Sequence, residues 1–308
     1  MTSCSAPGKV ILFGEHAVVF GEPALATAIN RRLLVTGRPS SEFTFNGRPL
    51  SSEGKPYIGT CVDLVWKGGP LAIMIESELP SAAGMGSSSA VSVATLGCLT
   101  NMQNEFSKEY IARKGFEVEL KVQERASPID TTTACHGSAV FVSKKKESDF
   151  LWLIERDEKR WFLHSRDIPK MKIVVGDTGV KASTGPLVDQ VKDYVGRSDR
   201  AKEIVREIGE ITLEGLVAIK DEDFDKVGEL MIKNHRLLNA LGVGHELLDR
   251  YVEAALPLSY GAKLTGAGGG GSMIALTDRP DEVAHSIEEQ GGKAYIVETE
   301  KEGIKIDG

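Results

Sequence analysis

The sequence predicts an α+β chain of two domains, on three observations. Its 308 residues exceed the roughly 100–200 of one ordinary domain. Short apolar runs of strand character crowd the first half, whereas stretches with helical spacing dominate the second. The pattern changes at Pro169, after a charge-rich segment, which sets a boundary near residue 165 between units 1–165 and 166–308. Strands and helices that segregate along a chain, rather than alternate, point to α+β.

The elements follow in order. Residues 9–13 (KVILF) form a short apolar strand stopped by Gly14, and residues 24–28 and 33–37 are two further apolar runs. Residues 43–45 lead into Asn46-Gly47, a pair suited to the positive φ angles of a hairpin turn. Residues 71–77 (LAIMIES) are a strand, the small residues 81–89 a loop, and residues 90–102 a buried helix. Mixed charge and apolar periodicity make 105–120 a helix. Residues 138–143 (SAVFVS) are a strand, and 144–160, with Trp161 just beyond, an exposed hairpin with polar turns. After Pro169, residues 172–176 are a strand and 199–256 mostly helix, with Ile204, Ile208 and Ile211 at helical spacing. Residues 263–265 and 272–276 flank a glycine run, 280–290 is a helix and 294–298 a last strand.

Composition narrows the function. Apolar residues make up 41%, enough for two cores, and no run approaches the ~18 residues of a membrane span. The formal charge of −7 gives no electrostatic reason to seek nucleic acid or anionic lipid. A polyphosphate would have to be held locally, by backbone N–H groups, a few cations and a metal. Cys4, Cys61, Cys98 and Cys135 form no CxxC pair, and the start of the chain lacks a secretory pattern, so a reduced, cytoplasmic protein is expected.

Three segments carry chemistry. Residues 80–90 (PSAAGMGSSSA) place glycines and serines before a helix, where free N–H groups and partial positive charge suit a phosphate. A serine hydroxyl there can also ligate Mg²⁺. The same composition also suits a flexible linker, and without a lysine it is no Walker loop. Residues 7–16 (PGKVILFGEH) set Lys9 at a strand start and Glu15-His16 just past its end, as a site wall or a solvated loop. Residues 266–271 (GAGGGG) match GxGxxG formally, but a strand-like SMIAL follows instead of a helix, which excludes a dinucleotide fingerprint. A tight turn between strands, able to close over a ligand, remains. Asp130 in ASPID reads by default as a turn residue.

In this order the segments resemble the GHMP kinases: PGKVILFGEH near the start, LPSAAGMGSSSA after a strand and KLTGAGGGG near the end. Residues 14–21 (GEHAVVFG) resemble the mevalonate kinases within that group, and VQERASPIDTTT with the compact length resembles their archaeal form. The resemblance implies a ribosomal-S5-domain-2-like N-terminal domain and a ferredoxin-like C-terminal domain with the site between them. It implies an ATP-dependent kinase with Mg²⁺ as cofactor and mevalonate as acceptor, acting as a homodimer. Carried over, Asp130 is the catalytic base and Lys9 its partner; Pro80, Ser81, Ala82, Ala83, Gly84, Met85, Gly86, Ser87, Ser88, Ser89 and Ala90 bind ATP. Ser88 and Glu119 take the metal, and Glu15, His16, Thr184 and Gly268 the acceptor. Ala182 stands where animal relatives carry an arginine, and ASPID departs from the more usual PSGID. Two rivals stay open: a kinase for phosphomevalonate or for the mevalonate 3-hydroxyl, and a non-catalytic sensor on the same fold. Isoleucine 58 to tryptophan 66 is the candidate adenine wall.

Overall fold

The structure, a computed structural model, describes residues 1–49, 56–80, 83–124, 126–181 and 184–307, without the side chain of Thr184. In chain order the elements are β1 (Thr2–Phe13), β2 (Ala24–Pro39), β3 (Thr44–Phe45), β4 (Arg48–Pro49), α1 (Pro56–Val65), β5 (Leu71–Ser77), α2 (Ser87–Met102), α3 (Lys108–Gln123) and α4 (Pro128–His136). Then come β6 (Ala139–Ser143), β7 (Phe150–Arg156), β8 (Lys159–Arg166), β9 (Lys172–Asp177), α5 (Thr184–Arg197), α6 (Asp199–Lys220), α7 (Phe224–Ala240) and α8 (Glu246–Ala255). The chain continues through β10 (Gly261–Thr265), β11 (Ser272–Leu276), α9 (Pro280–Glu289), β12 (Lys293–Glu298) and β13 (Lys305–Ile306).

Two sheets organise these elements, as the α+β class requires. The first contains β1 to β8 and β13, and β2 is its spine. One edge of β2 pairs with β1; the other pairs first with β6 and then with β5. The second sheet is antiparallel, in the order β10-β11-β9-β12, with α7, α8 and α9 packed on it. The first sheet gives way to the second between Arg166 and Lys172, and β13 returns to pair with β1. No helix among the described residues is long and apolar enough to cross a membrane.

Several elements differ from the sequence reading for identifiable reasons. The runs at 24–28 and 33–37 are one strand. The polar residues between them stay in the ladder because the Arg32 guanidinium donates to Ser5 and to the Gly303 carbonyl. Asp130 belongs to α4, not to a turn: Ser127 is extended and Pro128 opens the helix, the place where its missing N–H costs nothing. Helix α5 has no counterpart in the reading. The hairpin β7–β8 exists, but Trp152 and Trp161 are buried: Trp161 meets the Phe116 ring edge-on and the Trp152 indole N–H reaches Thr132. The Asn46-Gly47 turn forms as expected, both residues with positive φ.

Helix α2 positions the site. It is apolar on every side, with Ser89, Ala90 and residues 92–100 all buried, and it packs against β1, β2, β13, α1, α3 and α4. Its N-terminus points its unpaired N–H groups at the end of the first sheet where β1 carries Lys9.

Candidate active site

Lys9 and Asp130 meet first. A β-bulge at Pro7/Gly8 turns β1, and the Lys9 N–H donates to the Met85 carbonyl at 3.0 Å, tying the strand to the loop before α2. Gly86 has φ +69°, and a Cβ there would lie 2.8 Å from Lys9 Cγ, so glycine lets the lysine pass. Lys9 Nζ pairs with Asp130 Oδ2 at 2.9 Å; the lysine side chain is 5% exposed and the aspartate 29%. Asp130 sits in the first turn of α4, where the helix dipole favours a carboxylate.

A second carboxylate stands beside this pair. Glu119 comes from α3 and accepts the Ser88 hydroxyl from the first turn of α2 at 3.2 Å. Burial, then the neighbouring Asp130 charge, push the Glu119 carboxyl up to about 8, while Lys9 and Ser88 pull the other way. With one lysine beside two carboxylates, ionising Glu119 as well as Asp130 leaves a negative charge that one more cation would balance. The donors are oxygens, the choice of a hard ion such as Mg²⁺. No group of three His, Cys, Asp or Glu gathers among the described residues, so a metal here would draw its other ligands from phosphate and water. Ser88 and Glu119 fit that arrangement.

The facing wall comes from the turn after β1 and from β10. Glu15 is buried and pairs with Lys263 of β10, which is fully buried and also donates to the Leu264 carbonyl at 2.6 Å. Burial pushes the Glu15 carboxyl up and the Lys263 ammonium down, each opposed by the partner's charge. His16 has φ +61°, unusual for a non-glycine residue and a mark of local strain. Its Nε2 lies 2.8 Å from the Ala267 carbonyl, and burial lowers its pKa. Thr265 accepts from the Ile11 N–H at 3.2 Å and donates to the Ile11 carbonyl at 3.0 Å, locking β10 to β1. Gly268, φ +77°, allows the β10–β11 turn to pass Val243, whose carbonyl oxygen would be 2.0 Å from an added Cβ.

Both walls line one cleft of about 1030 Å³. Of the residues singled out in the sequence, Lys9, Glu15, His16, Ala83, Gly84, Gly86, Ser87, Ser88, Glu119, Asp130 and Gly268 line it. Pro80, Met85, Ser89 and Ala90 do not; Met85, Ser89 and Ala90 are buried, and Ser89 donates to the Gly86 carbonyl. Ser81, Ala82 and the Thr184 side chain lie outside the described residues. Helix α1 supplies Tyr57 and Ile58 to the cleft, but Trp66 lies off it. Glu15 Oε2, His16 Nδ1, Asp130 Oδ1 and Ser272 Oγ are buried, belong to cleft-lining residues and have no hydrogen-bond partner among the described residues. Buried polar atoms without partners are rare, and four on one cleft mark a place built to receive a polar ligand.

Sequence reasoning missed Lys263 and Ser272. A lysine in a strand of small and apolar neighbours (GAKLT) was the available signal, because a lysine is almost never fully buried without a partner. The cleft also gathers the cations Arg156, Lys159, Lys181 and Lys192.

Known proteins resemble this chain in sequence and in fold. The model of the GHMP kinases N terminal domain matches residues 56–138, and that of the GHMP kinases C terminal domain residues 216–293. The chain is 35% identical to mevalonate kinase of Pyrococcus furiosus, over 98% of this chain and 97% of that protein. It is 33% identical to mevalonate kinase of Methanothermobacter thermautotrophicus, over 89% of each. Among solved structures, Methanococcus jannaschii mevalonate kinase superposes with a TM-score of 0.79 at 25% identity, covering 96% of this chain and 98% of that one. The L. major mevalonate kinase complex with R-mevalonate gives 0.80 at 23% identity, covering 97% and 96%, a likeness of fold.

Proposed function

The chain belongs to the GHMP kinases, and from that premise we propose that it transfers the terminal phosphoryl group of ATP to the C5 hydroxyl of (R)-mevalonate, giving 5-phosphomevalonate for isoprenoid biosynthesis. One observation carries the reading: the Lys9–Asp130 pair at 2.9 Å shares a cleft with the start of α2 on one side and Glu15-His16 on the other. An alcohol between these walls has a base, a cation and a phosphate cradle within reach.

Phosphoryl transfer asks a protein mainly for positioning and charge neutralisation. The N–H groups of Ser87, Ser88 and Ser89, at a helix N-terminus, would face the phosphates. Asp130 accepts the proton of the attacking hydroxyl, and Lys9 offsets the alkoxide character that develops. Ser88 and Glu119 would hold Mg²⁺, which neutralises phosphate charge when bound. His16 and Glu15 would orient the acceptor beside Gly268 of the same cleft, with Thr184 carried over from the family resemblance alone. The apolar stretch of the cleft beside Tyr57 and Ile58 suits adenine. We take residues 1–165 and 166–308 as the two functional units, working in the cytoplasm as a homodimer.

The test is an ADP-release assay with Mg²⁺-ATP against mevalonate, 5-phosphomevalonate, mevalonate diphosphate, homoserine and galactose. Turnover on mevalonate, with 5-phosphomevalonate as product, is expected. The extra cations Arg156, Lys159 and Lys192 make 5-phosphomevalonate the informative rival, and turnover on it alone would overturn the acceptor. Asp130→Asn should lower turnover roughly 10²–10⁴-fold while nucleotide still binds, measured by displacement of a fluorescent ATP analogue.

A further inference from the structure

We infer that Lys263 is a positioning residue for the acceptor alcohol: by holding one oxygen of Glu15, it presents the other to the substrate in the cleft. The inference rests on the acceptor reading above and adds a residue to it.

The geometry is specific. Lys263 is fully buried, and its ammonium donates to Glu15 Oε1 and to the Leu264 carbonyl. Glu15 lines the cleft, yet its Oε2 is buried and has no partner among the described residues. A carboxylate bound at one oxygen and bare at the other is an acceptor aimed by its neighbour. An alcohol hydroxyl is the natural donor to it.

Lys263 itself is held in register. On β10, alternate residues face the N-terminal wall: Lys263 reaches Glu15 and Thr265 clasps the Ile11 backbone, and two residues further Ala267 receives His16. Behind the strand, the Leu264 N–H donates to His235 Nδ1 at 3.2 Å, and His235 Nε2 lies 3.0 Å from Asp249 Oδ1. Asn239 donates to the same Asp249 oxygen at 2.7 Å. The second sheet therefore fixes the two residues of the first unit that face the acceptor, Glu15 and His16, from behind. Glu15 Oε2, buried and without a partner among the described residues on a residue that lines the cleft, costs free energy until a ligand reaches and satisfies it.

The experiment compares Lys263→Met, Glu15→Gln and the double variant in steady-state kinetics, with melting temperature recorded for each. It uses whichever acceptor the wild-type enzyme turns over. Each single variant should raise KM for the acceptor roughly 10- to 100-fold, the worth of a hydrogen bond to a charged group, with KM for ATP unchanged within about twofold. The double variant should match Glu15→Gln alone, because Lys263 acts through Glu15. An unchanged acceptor KM, a parallel rise in both KM values, or additive effects in the double variant would each overturn the inference. If Lys263→Met does not fold, Lys263→Gln takes its place and the same criteria apply. Wild-type silence on mevalonate would instead count against the acceptor reading, which keeps the two failures apart.

Discussion

Two lysine–carboxylate pairs each contribute a carboxylate to the cleft, and they differ in what water can reach. Lys9–Asp130 lies within the first unit, and its aspartate is 29% exposed. Glu15–Lys263 bridges the two sheets, with both side chains sealed from solvent. The first pair keeps a charge available for a proton transfer. The second surrenders solvation to fix a direction. The contrast teaches that a similar ionic contact serves chemistry or placement according to its burial.

The sharpest way to break the comparison is Lys9→Met. Turnover should fall roughly 10²–10⁴-fold, yet urea titration should show a stability loss of only about 1 kcal/mol, since Asp130 can turn to water. Lys263→Met should do the reverse in weight, costing about 3–5 kcal/mol of stability because Glu15 is left charged and unpaired in the interior. Equal stability losses in the two variants would erase the distinction.

Glu119 sharpens the picture at the next magnitude. Its folded pKa lies above the ordinary value of 4.5, so between about 4.5 and about 8 the folded protein binds more protons than the unfolded chain. In metal-free buffer, stability should therefore fall as pH rises through that window. Glu119→Gln should remove the decline and gain on the order of 2 kcal/mol over the wild type at pH 9, while raising the Mg²⁺ concentration needed for turnover. Identical pH profiles would contradict the placement of this carboxylate.

The smallest effect belongs to the histidines behind the walls. Burial lowers the pKa of His16 and His235, so below about 6.5 the unfolded chain takes up protons that the folded one refuses. In the Glu119→Gln background, melting temperature should drop as pH falls from 7 to 5, and adding His235→Gln should flatten that slope by an amount on the order of 1 kcal/mol.

What could be read from the sequence was what local pattern encodes. The alternation and run lengths located most strands, and the glycine and serine spacing located the start of α2. Lys9, Ser88, Glu119 and Asp130 came from motif resemblance, and the structure brings all four together. Helix α4 escaped because its nine residues, PIDTTTACH, include an aspartate and three threonines, poor helix formers that carry little helical signal. The burial of Trp152 and Trp161 escaped because the charges around them mark the outer face of a hairpin whose inner face lies on α3 and α4. Lys263 escaped for a different reason: its partner is 248 residues away, and no periodicity reports a contact at that range.

Helix α2 was described as buried on all sides, and this decides which wall is able to travel. A rod packed against three strands and three helices would serve as an anvil, so that a nucleotide at its tip would meet a surface that stays still. Any adjustment to the arriving alcohol falls to the opposite jaw, the glycine-rich turn between β10 and β11 and the loop clasped to it. Crystals grown with and without the acceptor alcohol should then superpose on the anvil and differ at the jaw.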